Sequence, residues 1–241
     1  MQVLTDSEET PHELEAQHKE LLKALKRDRH LIILDDLQTL FAPHQSAGHY
    51  LPNLENYRTF FRLLEQVPHQ SCIILISDEQ PKEQTTSQIL RLNGLGKEAT
   101  DIFRYHQLLD EEDWEKLSLR YHHHPLWLTG VSQLIRDLFQ GSVHQFLEQD
   151  ILLIDAIQDQ YQRRFNRLSD LEQQLLQDMA QFSAPVGLGE LLKARSQPAT
   201  ILLNTLQSLQ RRLWIETVET PPWTLSPLTM TYLKLIGGKY G

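Results

Sequence analysis

The chain has 241 residues, 40% apolar and 23% charged, with 10 glycines and 11 prolines; these are proportions of a folded chain, not a collagenous, low-complexity or disordered one. No apolar run approaches the ~18–20 residues needed to cross a bilayer, and MQVLTDSEET lacks the apolar core of a signal peptide. Its 32 acidic and 23 basic residues leave a net charge of −9, which weighs against broad electrostatic binding to nucleic acid or to an anionic membrane.

The charge is unevenly spread. Residues 1–20 carry a net −5 and residues 186–241 a net +3, so a mildly basic patch near the C-terminus survives the acidic total. Cys72, the single cysteine, excludes an internal disulfide and a Cys-based zinc site and fits a reducing, cytoplasmic setting.

Taken in order, the pattern predicts a first helix from about Pro11 to Arg29, with Leu14, His18, Leu21, Leu22 and Leu25 on one face. Leu31-Ile32-Ile33-Leu34 then runs unbroken into Asp35-Asp36, which reads as a parallel strand buried on both faces. A helix over about Leu54–Val67 leads to a second such strand, Cys72–Ile76, which ends at Ser77-Asp78. Helix, strand, helix, strand indicates an α/β layer. After residue 93 helices follow one another: about Gly96–Tyr105, Glu111–Tyr121, Pro125–Phe139, Val143–Gln149, Leu152–Asn166 and, opened by the capping box Ser169–Glu172, a helix to Phe182. The tail reads helix (Leu188–Ala194), helix (Pro198–Arg212), strand (Trp214–Val218), turn at Pro221-Pro222, strand (Trp223–Leu225) and helix (Leu228–Ile236), the order of a winged helix.

Asp35 and Asp36 carry the strongest chemical signal. Carboxylates at the C-terminal end of a parallel strand lie where α/β sheets bind ligands, and in nucleoside triphosphatases such a group helps hold Mg²⁺. The phosphate cradle G-x-x-x-x-G-K-[ST] is absent. Its only lookalike, Gly94-Leu95-Gly96-Lys97, has Arg91 where the first Gly belongs and Glu98 where the hydroxyl belongs. His122-His123-His124 cannot converge on one ion, because consecutive helical side chains fan by ~100°. Cys72, inside an apolar strand, is expected to be a buried, inert thiol. The second helix of the winged-helix pattern offers DNA only Arg211 and Arg212, at its C-terminal end, so nucleic-acid reading is disfavoured.

The order LIILDDLQTLF, PHQSCIILIS, LRLNGLGKEATDIF, HHHPLWL, RFNRLSDLEQQLL and winged helix resembles the NB-ARC domain of signalling (STAND-class) P-loop NTPases, in particular cyanobacterial NB-ARC proteins with WD repeats. The resemblance covers about residues 12–236. It implies an α/β remnant (1–93) carrying the Walker B and sensor-1 strands, a small helical domain (94–158) and a winged-helix domain (159–241). It makes Asp35 and Asp36 the Walker B carboxylates, with Asp35 a Mg²⁺ ligand only when nucleotide is bound, and Pro125 the proline near adenine.

Several departures follow from the same mapping. Met1 falls after the place of the family's first strand and P-loop, so the cradle is expected to be missing. Ser77-Asp78-Glu79 stands where relatives have Ser-Arg-Glu, Trp127 stands where a small residue is usual, and Leu225-Ser226-Pro227 lacks the MHD histidine. The expectation is therefore a signalling or regulatory interaction module with a degenerate nucleotide site, not an enzyme and holding no cofactor. ADP or ATP with Mg²⁺ would bind only if another chain completes the site. A split NTPase with its P-loop on another chain, and a winged-helix DNA-binding regulator, are the alternatives. The edge of Cys72–Ser77 should be unpaired and apolar, a place for a protein partner to dock.

Overall fold

The computed structural model describes residues 14–82, 88–182, 185–194, 197–217 and 223–237. Pro11, Arg195 and the Pro221-Pro222 turn lie outside the described residues. The chain forms two compact units, residues 1–88 with 198–214 and residues 89–197 with 215–241.

In the first unit, α1 (Leu14–Arg27), β1 (Leu31–Leu34), α2 (Asn56–Gln66) and β2 (Cys72–Leu75) follow the order the hydrophobic pattern predicts. The strands pair in parallel, Leu31 opposite Cys72 and Leu34 opposite Leu75. Leu25, Phe61 and Leu64 form the core with Leu37, Phe41 and Tyr50 from the segment after β1, and Ile32, Leu34 and Ile73 pack against it. Only one face of the sheet is covered in this way. Leu31 (63%), Ile33 (55%), Ile74 (42%) and Ile76 (45%) are exposed, so the expectation of strands buried on both faces is corrected. The unbroken apolar run resulted from both faces being aliphatic, whereas the helices α1 and α2 contribute to the core of one face. Cys72 is exposed for the same reason, which corrects its expected burial.

The second unit is helical: α3 (Ala99–Tyr105), α4 (Trp114–Arg120), α5 (Pro125–Leu138), α6 (Val143–Glu148), α7 (Asp155–Phe165), α8 (Asp170–Met179), α9 (Leu188–Ala194) and α11 (Pro227–Gly237). α5 buries Trp127, Leu128, Val131 and Ile135, the i, i+4 stripe that periodicity marks. The capping box opening α8 is formed: Ser169 Oγ accepts from Glu172 N–H, and Ser169 N–H donates to Glu172 Oε2 at 2.8 Å. A short antiparallel hairpin, β3 (Glu216–Thr217) with β4 (Trp223–Thr224), is extended by paired backbone bonds between Val186 and Trp223.

α10 (Ala199–Arg211) lies in sequence between α9 and β3, yet it belongs to the first unit. The helix that the winged-helix pattern would use as its recognition helix thus packs with the α/β unit.

Candidate functional site

The C-terminal end of the two-stranded sheet is held in register by Ile76 N–H donating to Leu34 O at 2.9 Å and Leu37 N–H donating to Ile76 O at 3.0 Å. Asp35 and Asp36 leave β1 there, both exposed. Asp36 adopts the left-handed conformation (φ 54°), which Asp tolerates because its short side chain bonds locally. Asp36 N–H donates to Asp35 Oδ1 at 2.8 Å, Gln38 Nε2 donates to Asp36 Oδ1 at 2.9 Å, and Thr39 Oγ1 donates to Asp36 O at 2.8 Å. From β2, Ser77 Oγ lies 3.3 Å from Gln38 Oε1 and 2.7 Å from Glu79 O, and Asp78 is exposed.

Glu79, the next residue, is only 3% exposed. Its Oε1 accepts from Gly48 N–H at 2.8 Å and from Arg212 Nη2 at 3.2 Å, and the same Nη2 lies 2.9 Å from Gln45 O. Arg212 is one of the two bases that the winged-helix pattern would offer DNA. Its side chain is 4% exposed and engaged with a buried carboxylate. Arg211 is half-buried, and its carbonyl accepts from Gln80 N–H at 3.0 Å. Sequence reasoning missed the Glu79–Arg212 pair. The two residues stand 133 positions apart, and no local pattern links them.

Pro125 lies in the second unit, exposed at the first turn of α5. His124 caps that helix: its Nδ1 accepts from Trp127 N–H at 3.4 Å, and its ring stacks on Trp127 at 4.3 Å. Burial, with the nearby Arg164 cation, lowers the His124 pKa below that of a free imidazole. Trp127 is accommodated in a stack running to Tyr161 (5.9 Å) and on to Tyr232 (5.2 Å), and its indole N–H donates to Gln160. His122 and His123 both take left-handed backbone, and His123 Nδ1 bonds Ser118 Oγ at 2.7 Å.

The P-loop lookalike packs on this turn. A Cβ on Gly94 would lie 2.6 Å from His122 O, and Leu95 N–H donates to His123 O at 2.9 Å. Gly94 therefore serves close backbone packing. In the Leu225-Ser226-Pro227 segment, Ser226 Oγ accepts from Thr229 N–H at 3.2 Å as the cap of α11.

A Mg²⁺ ion that keeps its waters is usually bound by one or two carboxylates together with phosphates, and carboxylate is the donor type that the exposed Asp35 and Asp36 carry. Among the described residues no group of three or more His, Cys, Asp or Glu is placed to hold a metal ion. No helix of the described residues is long and apolar enough to cross a membrane.

No family model matches the chain. It is 33% identical over 250 aligned positions to an uncharacterized WD repeat-containing protein of the cyanobacterium Nostoc sp., covering 97% of this chain. The chain spans 20% of the length of that relative. A signal transduction ATPase with a tetratricopeptide repeat sensor from Pyrococcus horikoshii aligns over 94% of this chain and 30% of its own at 16% identity, with a TM-score of 0.36, too low to establish a common fold. A Walker-type ATPase of Pyrococcus abyssi aligns over 97% of this chain and 74% of its own, at 17% identity and a TM-score of 0.56. That likeness is one of fold: the chain folds like the aligned part of that ATPase.

Proposed function

We propose that this chain is an NB-ARC-type signalling or regulatory module whose nucleotide site is degenerate and which does not itself hydrolyse ATP. The observation carrying this reading is the charge at the strand ends. Asp78, which stands where the relatives of the resemblance carry an arginine, is exposed at the end of β2, and the carboxylate that follows, Glu79, is buried against Arg212. Placing a phosphate beside a carboxylate with no cation between them is repulsive by roughly 1 kcal/mol per charge pair at 4 Å in water, and about 4 kcal/mol at the effective dielectric of a protein surface. The sequence GLGKE supplies neither the Mg²⁺-binding hydroxyl nor the glycine spacing that would reverse the sign.

A protein partner fits the same reading. Cys72 and Ile76 direct their N–H groups to β1, so by alternation those of Ile73 and Leu75 face the opposite edge, where an extended aliphatic strand can pair. Titration calorimetry of the purified chain with Mg·ATP and with ADP tests the proposal. The expected result is no heat beyond dilution. Binding near 1 μM, worth about 8 kcal/mol, would overturn it. Binding seen only when a P-loop-bearing polypeptide is added would instead support a split NTPase, with Asp35 and Asp36 contributing to Mg²⁺ in the assembled site. That second reading is favoured by both carboxylates being exposed.

A further inference from the structure

α10 occupies an unusual place in the chain. The polypeptide enters it from α9 and leaves it for β3, both in the second unit, while α10 itself belongs to the first. Its polar fastenings there are concentrated at its C-terminal end. Arg212 reaches Glu79 and Gln45 O, Arg211 O accepts from Gln80 N–H, and Ser208 Oγ accepts from Ala47 N–H at 2.6 Å. Each of these partners lies in one of two segments, the 42–50 loop after β1 and the 77–82 turn after β2. The two segments are themselves pressed together: a Cβ on Gly48 would lie 2.1 Å from Lys82 N. Glu79 Oε1 is the common acceptor, taking the Gly48 N–H and the Arg212 guanidinium at once.

We propose that the Glu79–Arg212 pair is a latch, through which α10, the 42–50 loop and the 77–82 turn open and close as one unit. A buried ion pair is bistable. With both partners in place each charge is compensated, but withdrawing one strands the other in a medium that does not solvate it, so intermediate positions are disfavoured. Release hydrates both ions, frees the Gly48 and Ala47 amides, and detaches α10 from the strand ends that carry Ser77 and Asp78. Ser77 ties the turn to that end of the sheet, since its Oγ lies 3.3 Å from Gln38 Oε1, 2.7 Å from Glu79 O and accepts from Glu79 N–H at 3.2 Å. A change at the strand ends is thereby communicated to a segment whose two flanks both continue into the second unit. The latch stands on this geometry, and only its use in regulation rests on the function proposed above.

Hydrogen exchange read by mass spectrometry on the purified chain tests it. Glu79→Gln is expected to speed exchange of α10, residues 42–50 and residues 77–82 together, by about 100-fold or more, the scale of breaking a buried pair. α5, α7 and α11 should keep their protection. Arg212→Lys, which keeps the charge but loses the planar fork, should give a smaller rise in the same three segments. Ser208→Ala, which leaves the ion pair intact, should change exchange at Ala47 and little else. The latch is overturned if only one of the three segments responds, if none does, or if α5, α7 and α11 lose protection to the same degree. A chain that binds Mg·ATP yet exchanges its three segments together would overturn the proposed function and leave the latch standing.

Discussion

His144 Nδ1 lies 2.9 Å from Asp113 Oδ2 and its Nε2 lies 3.5 Å from Glu148, while Lys116 holds the other oxygen of Asp113 at 2.6 Å. Asp110 completes the cluster by accepting from Ser142 Oγ and from His144 N–H. The Asp113 hydrogen bond, then Glu148, raises the His144 pKa above that of a free imidazole. The hydrogen bonds of Lys116 and His144 lower that of Asp113. A raised histidine stabilises the fold fully below its unfolded pKa of about 6.5, and that contribution is lost as pH rises through the folded value. A lowered carboxyl contributes above its unfolded value near 4 and loses that contribution as pH falls through its folded one. The cluster is therefore strongest between about pH 4 and 6.5. His144→Gln should lower the urea midpoint in that window and converge on the parent above neutrality. Midpoints measured from pH 5 to 9 check this, and a constant difference would contradict it. No sequence pattern announced the cluster, because Asp113 and His144 are 31 positions apart. Glu79 and Arg212 were hidden for the same reason.

At the scale of elements the sequence was most informative where its signals were local. Pro125 at the first turn of α5, Ser169 before α8 and the helix of α10 all formed where the pattern places them. The α8 cap also has a buried member, since Glu172 is 1% exposed and its Oε2 takes both the Ser169 hydroxyl, at 2.8 Å, and the Ser169 N–H. Ser169→Ala removes the hydroxyl donor to a buried carboxylate together with the acceptor for Glu172 N–H. It should destabilise the chain by about 1–2 kcal/mol, measured by urea denaturation, with Ser169→Thr close to the parent. An alanine variant unchanged in stability would show that the remaining bonds of Glu172 suffice.

For the molecule as a whole, the exposed aliphatic face of β1 and β2 predicts association. Burying one such isoleucine is worth about 1.5–3 kcal/mol, so this face and the adjoining edge favour association. Ile33→Lys with Ile74→Lys should reduce concentration-dependent association in sedimentation, with the far-ultraviolet circular dichroism unchanged. A parent chain that stays monomeric at every concentration would contradict the prediction. The hydrophobic pattern identified both strands and their parallel pairing, but could not show which face is covered. An unbroken aliphatic run reads alike whether helices pack on one side or two.

Composition and periodicity, taken alone, determined the helix and strand order, the carboxylates at the end of β1 and the capping of α8. These depend on residues within a few positions of one another. Tertiary structure decided which sheet face the core of α1 and α2 covers, that Arg212 is an internal partner of Glu79, that Gly94 packs on the histidine turn, and that α10 joins the first unit. Each of those depends on which distant segments exclude water together, and chain spacing does not encode that.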